Sequence, residues 1–303
     1  MPAHRNGPVS SNVRHHMNSA TFAGLSVEAL LSDLDLKIAV DLFEALQREV
    51  KGATERHINE LDEAHAWALL QSMYLRSSAH TEACLALLSN EHFASAEALC
   101  RTVIESAVNL YYSSRGDSAS NVLIYFKNYI STERGQNRNW RNSVANSKHP
   151  KSSKDTHFER IANKDLALNR YEYILTEAFG QIGIDYSKTS ESWPSIFDRF
   201  REIDKELEYR TVYAALCSQA HNDPEDLLNE FVHGVLQTPG MKEAQDFENK
   251  NFARYMVLVA LAFHIESTGI YLAKFFPETN NRVLPLLKSA WDAIAEITSR
   301  VPS

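Results

Sequence analysis

The sequence predicts an all-α fold, and three observations carry that expectation. Apolar residues recur at spacings of three and four along most of the chain. No stretch of useful length alternates apolar and polar residues with the two-residue period of a strand. Glycine and proline are few, 10 and 9 in 303 residues, whereas a turn-rich β architecture needs many tight turns. With 44% hydrophobic residues the chain can bury a substantial core. The expected architecture is a multi-helix bundle of about nine or ten helices. It occupies a single domain over residues 26–300, behind a disordered leader at 1–25.

The leader is polar, lacks periodicity and has no apolar core of a secretory signal, and its His15–His16 pair reads as solvated. Ser26 is a candidate cap for a first helix, with Glu28 in the first turn, Leu30, Leu31, Leu34, Ile38, Leu42 and Leu46 at helical spacing, and Gly52 as its stop. A second helix is expected from about Asn59 to Ser89, and an Ala-rich third over Phe93–Arg115, closed at Gly116. Asp117 or Ser118 caps a fourth, traced through Ile130. Residues 134–164 then carry eight Lys or Arg against two acids, around a loop-like NSVANSKHPKSSKD, and read as a basic loop inserted in an otherwise acidic protein. Helical spacing resumes from Ile161 to Phe179. Ser192-Trp193-Pro194 reads as the next helix entry, with Ser192 as cap and Pro in the first turn. Tyr209–His221 follows, broken at Asn222-Asp223-Pro224, and then a helix at Glu225–Leu236. A long helix runs from about Lys242 to Phe276, and a final amphipathic one over Val283–Ile297. Exposure of that last apolar face would call for a second copy, so a homo-oligomer, most simply a dimer, is expected.

Composition excludes several classes. The formal net charge of −8 argues against a protein that coats nucleic acid, so any such contact has to be local. Three cysteines, Cys84, Cys100 and Cys217, without a CxxC pair, suit a reducing cytoplasm better than a disulfide framework. The apolar run Tyr255–Phe263 falls short of the ~18–20 residues of a membrane span, and is read as a buried core helix. No P-loop, GxGxxG, GxSxG or HExxH occurs, so no metal or cofactor is expected.

The densest cluster of reactive groups is Tyr209–Leu228, YRTVYAALCSQAHNDPEDLL. Tyr213, Cys217 and His221 recur at i, i+4 and i+8, and Arg210 precedes His221 by eleven residues, so a phenol, a thiol, an imidazole and a guanidinium share one side of a helix. Cys217 and His221 have the spacing of a thiolate–imidazolium pair, or of a buried thiol and a helix-capping histidine. Arg101 and Glu105 are spaced to pair along the third helix, either structurally or at the lining of a pocket. The basic segment supplies Arg134, Arg138, Arg141, Lys148 and Lys151 around Trp140, a pattern that grips phosphates and stacks a base, or that is simply solvated.

Two of these segments carry a resemblance. Ala98–Tyr112, ALCRTVIESAVNLYY, resembles the R-x-x-x-E helix of a widespread bacterial family of unknown function, whose second signature is Tyr-x-x-Leu-Ser-x-x-x-His. Tyr213, Leu216, Cys217 and His221 match it, with Cys in place of Ser, and Trp193 also fits. The resemblance spans roughly Glu60–Phe275. That family is distantly similar to the helical HEPN (higher eukaryotes and prokaryotes nucleotide-binding) proteins, which implies an HEPN-like core and action on RNA in defence or a toxin–antitoxin setting. The Arg-x(4–6)-His motif of those nucleases is missing here: Arg76 to His80 is one residue short, and Arg141 to His149 one too long. A non-standard site from Arg101, Glu105, Tyr213 and His221 is the alternative arrangement, with His as acid–base and Arg stabilising the phosphorane. Three readings therefore stand: an RNA-directed enzyme, a non-enzymatic module that binds a partner protein or a nucleotide, and a Cys217 thiol enzyme.

Overall fold

The computed structural model describes residues 33–57, 64–219, 228, 231, 235 and 241–300. The leader at 1–25, the first-helix start at Ser26 and the break at Asn222-Asp223-Pro224 lie outside the described residues; of the helix expected at 225–236 only 228, 231 and 235 are described, all helical. Every regular element among the described residues is helical, so the chain is an all-α multi-helix bundle.

Helix α1 is Leu34–His57, and Asp33 caps it by accepting from the N–H groups of Asp35 and Leu36, both at 3.1 Å. Gly52 does not end it. A mid-helix glycine costs only about 1 kcal/mol, and Val50, Ala53 and Thr54 beside it are all buried. α2 (Ala64–Ser89) and α3 (Phe93–Ser114) form an antiparallel pair, and α9 (Met241–Phe275) packs against both, most extensively against α3. The alanine content of α3 has a purpose in this setting. Ala96, Cys100 and Ala107 are fully buried beside Val103, Ile104, Val108 and Leu110, so neighbours approach closely on two sides. α10 (Asn280–Thr298) crosses α9 and α1. Its apolar face, Val283, Ala290, Ala293, Ile294 and Ile297, is buried within the chain, which removes the basis on which a dimer was expected through that helix.

α9 holds one stretch, Asp246–Phe275, long and apolar enough to cross a membrane by length and composition, longer than the apolar run alone suggested; 83% of its most apolar 18-residue window is buried in the bundle. The same interior holds polar groups. Tyr74 donates to Gln47 at 2.8 Å, and Ser77 Oγ lies 3.0 Å from His264 Nδ1.

The expected basic loop at 134–164 is instead the distal part of a two-helix hairpin. α4 (Ser118–Asn146) continues far beyond Ile130, and α5 (Lys151–Gly180) returns along it after the short turn that ends at Pro150. The physical reason is cross-pairing. Asn137 donates to Asp165 at 2.6 Å, Arg134 pairs with Glu172 at 2.6 Å, Arg141 pairs with Asp165 at 3.0 Å, and Lys164 pairs with Glu133. These charges flank a short apolar row, Ile130, Val144, Ile161 and Leu168, all buried, and together they join the two helices.

After a 3-10 turn at Tyr186–Lys188 come α6 (Ile196–Glu202), the single turn α7 (Glu206–Glu208), a π-helical turn at Tyr209–Tyr213 and α8 (Ala214–Gln219). The α6 cap is Ser195, which accepts from Asp198 N–H at 3.1 Å, rather than Ser192; Pro194 precedes the helix instead of occupying its first turn. Lys205, paired with Glu266 at 2.9 Å, ties this segment to α9.

Candidate functional site

One face of α3 stays free of the hydrophobic interior. Arg101, Glu105, Asn109 and Tyr112 occupy it at i, i+4, i+8 and i+11. The segment α6–α8 closes over this stripe. Phe200, fully buried on α6, packs against Tyr209 and Tyr213 with ring centroids 5.4 Å from each. Tyr209 and Tyr213 stack at 5.4 Å across the π turn, whose extra residue is recorded in the bond from Ala214 N–H to Tyr209 O.

Tyr213 reaches across to α3, and its hydroxyl donates to Glu105 Oε2 at 2.9 Å. The Arg101 guanidinium carbon lies 5.6 Å from the centre of the Tyr213 ring. Burial pushes the Tyr213 phenol up to about 12, with Glu105 adding to the rise and Arg101 opposing it. The phenol therefore stays protonated at neutral pH and acts as a donor. Arg101 is raised above its ordinary value, chiefly by the Tyr213 hydroxyl. Arg101 and Glu105, spaced to pair with each other, make no ion pair: Glu105 takes the tyrosine instead.

Behind them lies Arg199, 7% exposed. Its Nε donates to the carbonyl oxygens of Pro194 and Ser195 at 3.1 and 3.4 Å, and its guanidinium lies 5.6 Å from the Trp193 ring centre. Burial disfavours its cation and lowers its pKa, an effect that Glu105 and Tyr213 partly offset. Trp193 is held edge-on by Tyr112 at 5.0 Å and Tyr125 at 5.1 Å. Four polar atoms here are buried without a partner among the described residues: Arg101 Nε, Arg199 Nη1, Trp193 Nε1 and Asn109 Oδ1. Three of the four are donors. Two guanidiniums share the field of one carboxylate, Glu105, whose Oε2 already accepts from Tyr213. Among the described residues the cluster has spare hydrogen-bond donors beside two guanidiniums, with Glu105 between them and Glu202 at Tyr112, and the spare donors are the complement of an anion's acceptors.

The structure thus brings Arg101, Glu105 and Tyr213 together across 108 residues of sequence. Cys217 is half-buried one turn beyond Tyr213, as a free thiol near enough to Arg101 to raise its pKa slightly. His221 lies outside the described residues. The nucleic-acid candidates separate. Arg134 and Arg141 are held by acids of α5. Trp140 is half-buried, 5.8 Å from the His157 ring, and Arg138, Lys148 and Lys151 are exposed at the hairpin tip. Among the described residues no group of three or more His, Cys, Asp or Glu is placed to hold a metal. An open hollow lined by Phe247, Phe252, Tyr255, Ile297 and Arg300 shares no residue with the Arg101 cluster. Arg199 was missed by sequence reasoning. Its only signal is its position on the buried side of α6, where a charged residue is out of pattern.

Residues 68–235, more than half of the chain, match a family described as "Family of unknown function (DUF5677)", and the chain belongs to that family. No curated protein and no solved structure matches it.

Proposed function

We propose that this member of a family of unknown function binds a phosphate-bearing ligand at the Arg101–Tyr213–Arg199 cluster, and that the ligand is a nucleotide unit of RNA. The observation that supports the reading is the set of unpartnered donors, Arg101 Nε, Arg199 Nη1 and Trp193 Nε1, around two guanidiniums with one carboxylate between them. Burying a cation without its counter-charge is costly, and a phosphate supplies both the charge and the acceptors. The aromatic groups Trp193, Tyr112 and Tyr209 offer the faces and edges that a base stacks on. The HEPN-like resemblance gives RNA as the ligand class. A second reading, RNA cleavage in a toxin or defence setting, has one observation in its favour. Glu105 and the protonated Tyr213 phenol sit hydrogen-bonded beside Arg101, an acid–base pair next to a cation.

Titration of Trp193-sensitive fluorescence with a nucleoside monophosphate, and of labelled single-stranded RNA with the protein, tests the binding reading. Wild type is expected to bind, and Arg101→Ala to weaken binding about 10- to 100-fold, the loss of a charge-assisted contact, with little change in Tm. Absence of binding by wild type, or equal affinity in the variant, overturns it. RNA incubated with wild type, Tyr213→Phe and His221→Ala protein decides the cleavage reading. Intact RNA with wild type leaves a binding module.

A further inference from the structure

Among the described residues the hairpin helix α5 uses one of its faces. Ile161, Leu168 and Phe179 are its buried residues, on the side toward α4. On the opposite side Leu166, Arg170, Tyr173, Ile174, Glu177 and the C-cap Gln181 form one stripe, and all six are exposed. Leu166, Tyr173 and Ile174 are 55%, 67% and 57% exposed, large apolar side chains in a row; Tyr171, 50% exposed, lies off this stripe. Further toward the N-terminus the same face turns polar at Glu159 and Asn163, so the apolar stretch is bounded. A patch of this kind, rimmed by charge, marks an interaction surface.

The opposite charges at mirrored positions of the stripe point to a second copy as its partner. The positions 166, 170, 173, 174, 177 and 181 have the same spacing read from either end. A two-fold axis between Tyr173 and Ile174 therefore places Tyr173 against the partner's Ile174, Arg170 against the partner's Glu177, and Leu166 against the partner's Gln181. Each contact occurs twice, as an isologous interface requires. Arg170 and Glu177 are of opposite charge and stand two turns apart, about 10 Å along the axis, too far to pair with each other. Neither makes an ion pair with another described residue. We infer that α5 is an antiparallel homodimer interface, on which two copies of the α4–α5 hairpin close into a four-helix arrangement around Tyr173 and Ile174. This inference is independent of the Arg101 cluster.

Sedimentation equilibrium of the full chain over a wide concentration range tests it, against a chain mass of 34.3 kDa. Wild type is expected to associate to twice that mass. Arg170→Glu and Glu177→Arg, each of which sets like charges opposite one another, are expected to raise the dimer Kd about tenfold or more. The double variant R170E/E177R, which restores opposite charges with the signs exchanged, is expected to return close to wild type. Ile174→Asp, on an exposed face where folding tolerates it, abolishes the dimer. A wild type that stays monomeric overturns the proposal, as does a dimer indifferent to Ile174→Asp. Failure of the double variant to recover overturns the antiparallel register.

Discussion

At Tyr213 a single side chain joins the two parts of the candidate site. Its ring is fixed by Phe200 and Tyr209, and its hydroxyl is Glu105's donor. Tyr213→Phe keeps the ring and deletes the donor, so Glu105 loses a partner in a half-buried place. We expect a loss of about 1–2 kcal/mol in chemical denaturation; an unchanged midpoint would mean that water replaces the bond at no cost. His264 makes a second residue-scale case. It is fully buried between Tyr74, Phe43 and Ser77, and burial pushes its imidazole down to about 3. An exposed histidine titrates near 6.5. Between those values the unfolded chain binds a proton that the folded chain does not, so acid favours unfolding. The stability is present in full above about pH 6.5 and is lost as the pH falls toward 3, at up to about 1.4 kcal/mol per unit. Urea unfolding of wild type and His264→Met across pH 7 to 5 is expected to show that extra slope only in wild type.

Among the elements, α9 and α10 make the closest approach that a glycine permits. A Cβ on Gly269 would stand 3.0 Å from Val283 Cγ1. Gly269→Val is expected to cost about 1–3 kcal/mol by overpacking, and Val283→Ala in the same chain to recover part of it, a coupling that a double-mutant cycle measures. The α4–α5 hairpin has a mixed character. Its contact combines the buried Ile130, Val144, Ile161 and Leu168 with polar pairs among Asn137, Asp165, Arg141, Arg134 and Glu172. Asn137→Asp sets a carboxylate against Asp165. Hydrogen exchange is then expected to quicken over residues 131–146 and 151–168 while α3 stays protected; uniform loss of protection would show instead that the hairpin supports the bundle. The helices themselves were legible from spacing, including α3 and its polar stripe. The proximal parts of the hairpin, up to Ile130 and from Ile161, were legible too; its distal part was not, because a run of Lys, Arg, Ser and Asn carries little apolar period, and its charges are paired by residues of the other helix.

For the whole molecule, a net charge of −8 limits how RNA would be held on the proposed reading. A contact through two guanidiniums gives a shallow salt dependence. At about 0.7 per phosphate neutralised on a single strand, log K falls by about 1.4 per tenfold rise in salt. A much steeper slope would place the RNA on the exposed cations at the hairpin tip, Arg138, Lys148 and Lys151, and away from Arg101. The apolar helix α9 belongs to this scale too. Its composition passes for a membrane span, yet most of its apolar surface is used up by α3, α10, α2 and α1.

By itself the sequence determined the all-α class, the order of the principal helices and the stripe that holds Arg101 and Glu105, because helical periodicity and side-chain spacing are local properties of the chain. It also marked Tyr213 by spacing. Only the tertiary structure decided that Glu105 accepts from Tyr213 instead of pairing with Arg101, that Arg199 joins them from behind, and that α10 is covered while the outer face of α5 is left open by the described residues. Those facts turn on which surfaces meet across more than a hundred residues, and no local period encodes which face of a helix finds a partner.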